Sequence, residues 1–349
     1  MRIVTSKYPR RWASQSLGAL GACTILLVAL FMAGASWNLI VQKRLLALNP
    51  PPGRFYLVDG KSMHLNCSGT GRPTIVAEAG SGEDSLTWTL LQNSLSSSYR
   101  FCSYDRAGTG WSEPRPGPRD SEAIASQLHE LLKTAHEKGP VVLLAHSLGG
   151  LYIKEYAQLY PDQVAALIFL DATTPATYQG RAADALGLGQ ATISQLTEFP
   201  LIGWAAEVSG YDRLMHQCSG FPSSLSSISA LYQADQCIAS QDREQREEAA
   251  ALPADEREVT DAPVKVPVLV LSEDKSPILQ TADAISTWDM LQNNLLKLSA
   301  ESYRIKAVNS DHFLQLSCPN FTSDQIRVAL TAYEKKSSLH GTTTSAPCR

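Results

Sequence analysis

The stretch Val141-Val-Leu-Leu-Ala-His-Ser-Leu-Gly-Gly150 constrains this chain more than any other: five apolar residues enter a tight Ala145-His146-Ser147-Leu148-Gly149 turn, which opens into the helix-like run Leu151 to Tyr160. An apolar run of that length, bounded by a turn, reads as a buried strand. Small residues flanking a serine at a strand-to-helix turn let two backbones approach closely enough to push the hydroxyl clear of the sheet. Ser147 is therefore the candidate nucleophile. The match to G-x-S-x-G has Ala145 in its first position, so the weight rests on context: the strand before it, the helix after it, and His312 far downstream. The competing reading is a structural strand-to-helix turn that happens to carry serine.

Around this turn the apolar pattern repeats. Phe55 to Val58, Ser62 to Cys67, Thr74 to Glu78 and Arg100 to Tyr104 are short apolar or alternating runs cut by Gly and Pro, with Asp59-Gly60 as a hairpin turn between the first two. Val141 to Ala145 and Leu167 to Leu170 are continuous apolar runs of the kind expected for buried parallel strands, and Val266 to Leu271 and Tyr303 to Val308 resume the pattern. Ser121 to Glu137 has helical spacing, with Ile124, Leu128, Leu131 and Leu132 on one face, and Ser323 to Tyr333 closes the chain's regular pattern with a helix. Between Ala172 and Lys265 the strand rhythm stops, and a polar, Ser- and Glu-rich composition with helical patches reads as a lid insert (172–265) at a strand carboxyl end. Phe199, Leu201, Ile202, Trp204, Phe221, Leu231 and Tyr232 suit either an apolar pocket or the lid's own small core, and Gln241 to Glu258 reads as a solvated charged helix face.

Tyr104-Asp-Arg-Ala-Gly-Thr-Gly-Trp-Ser112, the turn at Ser147, and Ser310-Asp-His-Phe313 follow one another along the chain. On these motifs, from Gly53 to about Tyr333, it resembles the α/β-hydrolase superfamily, in particular a bacterial-type branch of esterase- and lipase-like serine hydrolases. The resemblance implies an α/β domain (54–335) built on an eight-stranded, mostly parallel sheet with a helical lid. A serine hydroxyl needs a base to take its proton. His312, after one strand and before the last helix, stands where the family places that base. The third member of such a triad fixes the imidazole's tautomer. Most of the family carry it in a G-x-x-D turn after the seventh strand, but here Ser272-Glu273-Asp274-Lys275-Ser276 lacks the Gly and has serine where the aspartate falls. Asp171, directly after the sixth strand, is the first choice, as in certain haloalkane dehalogenases, and Asp274 is the alternative.

An oxyanion requires two preorganised N–H donors. One is the backbone of Leu148; the second is expected in Glu78-Ala-Gly-Ser-Gly82, where family members carry His-Gly, with Ser81 preferred and Gly82 the alternative. Asp105 and Arg106 are expected to brace their loop by an internal ion pair, and Trp111 to wall a pocket. The implied reaction is cleavage of carboxylic esters or related acyl compounds, small-molecule or lipid, through an acyl-enzyme, with no metal or organic cofactor. Serine at the turn speaks against the carboxylate-based chemistry of epoxide hydrolases and dehalogenases. An acyltransferase, a thioesterase or a non-catalytic binding module on the same fold are the alternatives.

Ahead of this domain, Leu17 to Val41 carries no charged residue for about 25 positions, longer as a helix than the roughly 30 Å hydrocarbon core of a bilayer. Residues 17–41 read as a transmembrane helix or signal anchor, 1–16 as a cytoplasmic segment, and 42–53 as a linker stiffened by Asn49-Pro-Pro-Pro-Gly53. Arg2, Lys7, Arg10 and Arg11 outnumber Lys43 and Arg44, which places the domain on the non-cytoplasmic side. Ala33-Gly34-Ala35 leaves signal cleavage and secretion as the alternative. Of seven cysteines, Cys23 lies in the apolar segment, and Cys67, Cys102, Cys218, Cys237, Cys318 and Cys348 form an even set, as an oxidising compartment permits. The resemblance makes the second and fourth strands neighbours, which implies Cys67 with Cys102; Cys218 and Cys237 share the insert, leaving Cys318 with Cys348. The tail 336–349 is polar and mobile unless Cys348 ties it down. A net charge of −4 gives no basic footprint for nucleic acid, and 44% hydrophobic residues suffice for a large core.

Overall fold

The computed structural model describes residues 11–189, 201–215, 222–235, 239–335 and 343–348. Nine strands, β1 (Arg54–Val58), β2 (Lys61–Ser68), β3 (Ile75–Glu78), β4 (Phe101–Tyr104), β5 (Val141–His146), β6 (Val164–Leu170), β7 (Val268–Ser272), β8 (Ser302–Val308) and β9 (Thr344–Pro347), form one sheet in the order β1-β2-β4-β3-β5-β6-β7-β8-β9. β2 is antiparallel to both β1 and β4, and the remaining neighbours are parallel. Asp59 and Gly60, with φ of +46° and +78°, turn β1 into β2, the backbone a two-residue hairpin of this hand requires.

Every residue of β5 is buried, because side chains alternate between two covered faces. Val141, Leu143 and Ala145 enter one core layer with the helices Ser121–Thr134 and Gly149–Leu159, while Val142 and Leu144 enter the other with Thr89–Leu95 and Pro319–Glu334. Asp120 caps the first of these helices by accepting from Ala123 N at 2.9 Å. Packing on both faces fixes the carboxyl ends of β3, β5, β6, β7 and β8 along one edge, where the loops of interest emerge.

Among the described residues the sheet has nine strands rather than the expected eight. The tail residues Thr344–Pro347 add a parallel strand to β8, and Cys348 is bonded to Cys318 with their Cα atoms 5.7 Å apart. Thr-Ser-Ala-Pro carries no apolar run; an open sheet edge and a crosslink order it instead. Cys67 and Cys102 are directly opposite in the β2–β4 register and form a disulfide, Cα atoms 4.0 Å apart. Cys218, Cys237, Phe199 and Phe221 lie outside the described residues. The N-terminal helix runs Arg11–Leu48, through the first part of the expected linker, and stops only at Asn49-Pro50, where the pre-proline residue disfavours the helical region. Its Ala19–Leu48 portion is long and apolar enough to cross a membrane, with a mean hydropathy of 2.1 over its most apolar 18 residues.

Between β6 and β7 the described residues form the helices Gly180–Leu186, Leu201–Ser209, Tyr211–Leu214, Ser229–Asp235 and Ala239–Glu258. The last is not a solvated face. Glu244, Glu248 and Asp255, four and seven positions apart and so on one side of the helix, are buried: Glu244 pairs with Arg119, Glu248 with Arg106, and Asp255 accepts from Ser121 N. Trp204 packs against Phe31 of the N-terminal helix, ring centroids 5.9 Å apart, rather than lining a pocket.

Candidate active site

At the end of β5 the backbone reverses at Ser147, whose φ of +50° is a conformation that costs a side-chain-bearing residue about 1 kcal/mol or more and is retained only where the surroundings enforce it. They do so through hydrogen bonds. Ser147 N donates to Leu170 O at 3.2 Å, and its carbonyl accepts from Gly150 N at 3.0 Å and Thr173 N at 2.9 Å. The glycines that follow are steric necessities: a Cβ on Gly149 would stand 2.7 Å from Glu78 O, and one on Gly150 would stand 2.7 Å from the Ala172 Cβ. Helix Gly149–Leu159 thus starts against the ends of β3 and β6. The Leu148 amide falls in its opening turn, where N–H groups have no intrahelical acceptor.

The loop after β3 crosses directly over this turn. A Cβ on Gly80 would lie 3.1 Å from Ser147 Cβ, and Ser81 is exposed beside it. Arg106 clasps the loop by donating to Ala79 O at 2.7 Å and Gly80 O at 2.8 Å, and its remaining N–H groups reach Glu78 at 2.9 Å and Glu248 at 2.7 Å. The expected Asp105–Arg106 pair is absent. Asp105 instead faces His64 Nδ1 at 2.8 Å and accepts from Ser85 N and Trp111 N, so the two residues brace different loops, and Trp111 packs edge-on against His64 instead of walling a pocket. Gly82, at φ +70°, sits under Gln245 of the insert helix, where any Cβ would fall 2.8 Å from its Nε2.

His312 follows β8. Its Nδ1 lies 2.6 Å from Asp171 Oδ2, and we assign the Nδ1 proton to that hydrogen bond, which leaves Nε2 as the acceptor. Asp171 is fully buried at the end of β6, with φ +45°, and its Oδ1 accepts from Trp288 Nε1 at 2.8 Å and Glu273 N at 3.1 Å. Asp274 is used elsewhere: its Oδ1 accepts from Ser310 N at 3.1 Å and holds the loop that leads to His312. The structure therefore brings Asp171, not Asp274, onto the His312 ring.

Three further groups were not apparent from the sequence. His146 directly precedes the serine, and its Nε2 donates to His312 O at 2.8 Å while its Nδ1 stands 2.8 Å from Glu83 Oε1. Burial opposes its charged form, but the Glu83 carboxylate outweighs burial and raises the imidazole's pKa; for Glu83, which keeps some exposure, burial pushes upward but His146 holds the carboxyl low, and it accepts from Gly80 N at 2.9 Å. Glu273 is the third. Burial, with the Asp171 charge beside it, pushes its carboxyl up to about 9, so it is neutral at pH 7. One potential ligand atom each from Asp171, Glu273 and His312 lies within 4.8 Å of the others. The set is a poor cation site, because both Asp171 oxygens and His312 Nδ1 are already committed to hydrogen bonds and Glu273 carries its proton. A cavity of about 750 Å³ opens beside the two loops, bordered by Ser81, Gly82, Leu225, Tyr232, Asp311 and Phe313; Ser147 and His312 are not on its wall.

A family model described as alpha/beta hydrolase fold matches residues 73–319. The chain belongs to the α/β hydrolase fold family. Solved structures superpose over most of its length: Cfl2 from Burkholderia cenocepacia at 22% identity, covering 79% of this chain and 94% of that one with a TM-score of 0.64, and a thermophilic esterase from Thermogutta terrifontis at 19%, covering 81% and 99% with a TM-score of 0.57. Among curated relatives, an uncharacterised Bacillus subtilis protein, YbdG, is 32% identical over 123 residues, 35% of this chain and 38% of that protein. A Bos taurus (lyso)-N-acylphosphatidylethanolamine lipase is 33% identical over 103 residues, 29% of this chain and 30% of the lipase. The matched segments thus span well under half of these relatives.

Proposed function

We propose that this α/β hydrolase cleaves carboxylic esters or related acyl compounds through an acyl-enzyme on Ser147. In this reading His312 Nε2 takes the serine proton during attack and delivers it to the leaving group, and Asp171 fixes the tautomer and stabilises the imidazolium that forms. The Leu148 and Ser81 amides stabilise the oxyanion, and residues 172–265 act as the lid. The observation that carries the proposal is the 2.6 Å His312–Asp171 hydrogen bond, in a loop that His146, the residue before a serine held at φ +50°, ties to the strand-to-helix turn by donating to His312 O. His146, Glu83 and Arg106 support it by tying the serine turn, the loop after β3 and the histidine loop to one another. The esterase among the structural neighbours and the lipase among the relatives favour acyl chemistry; an epoxide hydrolase of Vigna radiata, VrEH1, shares the fold at 20% identity, but serine at this turn lacks the carboxylate nucleophile that the alternative chemistry needs.

We further read the N-terminal helix as an uncleaved anchor that holds the domain on the non-cytoplasmic side of a membrane. A panel of p-nitrophenyl esters of graded acyl length tests the enzymatic reading. Turnover by the wild-type chain that vanishes in Ser147→Ala is expected; equal turnover by the variant contradicts it.

A further inference from the structure

The N-terminal helix is fitted to the insert along one face. Phe31, Gly34 and Asn38, spaced three and four residues apart, lie on the same side of the helix. Phe31 meets Trp204; Gly34 lets the backbone of Ser209 approach so closely that a Cβ would lie 2.5 Å from Ser209 O. Asn38, buried despite its place in the apolar segment, donates to Glu207 O at 3.0 Å and accepts from Arg213 Nε at 2.9 Å. Gly210, at φ +77°, gives room to Asn38 and Trp37 from the other side: a Cβ there would lie 2.8 Å from the Asn38 Cβ. Small residues at the crossing, plus one polar residue whose donors and acceptors are matched by the partner, are what a helix contact in an apolar medium requires.

These contacts also set a depth. If residues 17–41 span the bilayer, Asn38 lies about 4.5 Å and Phe31 about 15 Å inside its domain-side boundary, at 1.5 Å per residue. The helix Leu201–Ser209 packed against them then lies at the same level, and the insert's exposed apolar residues, Trp204, Tyr211, Leu214 and Met215, stand beside the anchor. The Asn38–Arg213 contact falls near the headgroups, where a long cationic side chain reaches water. Helix Ser229–Asp235 packs on the same N-terminal helix and supplies Tyr232 to the cavity beside the candidate site.

We propose that the N-terminal helix and the helices Leu201–Ser209 and Tyr211–Leu214 form one membrane-docked unit, with Trp204, Tyr211, Leu214 and Met215 immersed in the domain-side leaflet. The cavity at Tyr232 then receives its substrate, an acyl ester of a bilayer lipid, from the membrane instead of from water. This rests on the readings of residues 17–41 as a membrane span and of Ser147 as the nucleophile.

The test uses the full chain in phosphatidylcholine nanodiscs on a Cys23→Ser background, which also serves as the labelling blank. Nitroxides at Leu26→Cys and Leu214→Cys report depth by their collision rates with oxygen and with a water-soluble nickel chelate. Both labels in the apolar phase is the expected result. Leu26 in lipid with Leu214 in water overturns the docking and leaves the anchor standing; both in water overturns the anchor and the docking together. In the second arm, Leu214→Asp and Gly34→Leu are expected to lower turnover of a fluorogenic phosphatidylcholine held in the disc by about tenfold or more, while p-nitrophenyl butyrate turnover stays within about twofold. Equal losses on both substrates, or none on the lipid, overturn the membrane route. Absence of all turnover and of fluorophosphonate labelling of Ser147 in the wild type removes the hydrolase reading, and the depth measurement still decides the docking.

Discussion

At the scale of single residues, the assignment of the triad acid makes the sharpest claim. Asp171→Asn is expected to lower kcat by about 10⁴-fold with little change in KM, because the amide presents a donor to His312 Nδ1 and favours the wrong tautomer. Asp274→Asn is expected to leave kcat nearly intact, since that carboxylate only holds Ser310 N; steady-state kinetics on both variants decide, and the reverse pattern contradicts the assignment. Glu273 adds a linkage. Its folded-state pKa of about 9 lies above the ordinary carboxylate range, so between that range and pH 9 the folded chain keeps a proton the unfolded chain releases, and its contribution to stability falls as pH rises. Glu273→Gln removes this slope. Urea titrations are expected to show the variant gaining on wild type from about pH 5 to about pH 9; a pH-independent difference contradicts it. The turn at Ser147 was legible because a strand, a turn and a helix are local patterns, and the places of His312 and Asp171 after their strands followed from the family resemblance; the structure adds the hydrogen bond between those two. The sequence did not expose Glu273, Glu83 or the role of His146, whose meaning lies in which loops meet across the carboxyl edge of the sheet.

At the scale of elements, two crosslinks of different kind hold the parts that carry the site. The Cys67–Cys102 disulfide joins β2 to β4 at directly opposed positions, and replacing both cysteines by alanine is expected to cost on the order of 2–5 kcal/mol in denaturant unfolding. A loss under about 1 kcal/mol contradicts a structural role for the bond. Arg106 joins the loop after β3 to the insert helix. Arg106→Met leaves Glu78 and Glu248 buried without a cation, and is expected to destabilise the domain by about 3–5 kcal/mol in the same assay. A neutral result contradicts the clasp. The eight apolar strands were readable from periodicity, and so was the hairpin at Asp59-Gly60. β9 was not, because Thr-Ser-Ala-Pro acquires strand structure only from the β8 edge and the Cys318–Cys348 bond. The helix Ala239–Glu258 misled for a related reason: its acidic face looked solvated because the arginines that cover it, Arg106 and Arg119, lie more than a hundred residues earlier in the chain.

At the scale of the whole molecule, the chain combines the α/β hydrolase fold with an apolar helix packed against helices that lie between β6 and β7. The full chain is expected to remain with membranes after alkaline carbonate extraction and to retain Met1 or Arg2 at its N-terminus by intact mass. A mature N-terminus just after Ala35 contradicts the anchor. Within the domain, Ser147, activated by His312 and Asp171, is proposed to form the covalent bond to substrate. Reaction of the full chain with a fluorophosphonate, followed by peptide mapping, tests it most directly. A single adduct on Ser147 is expected, absent in Ser147→Ala and strongly slowed in His312→Ala and Asp171→Asn. An unmodified Ser147 in the folded wild-type chain, or equal labelling in His312→Ala, contradicts it.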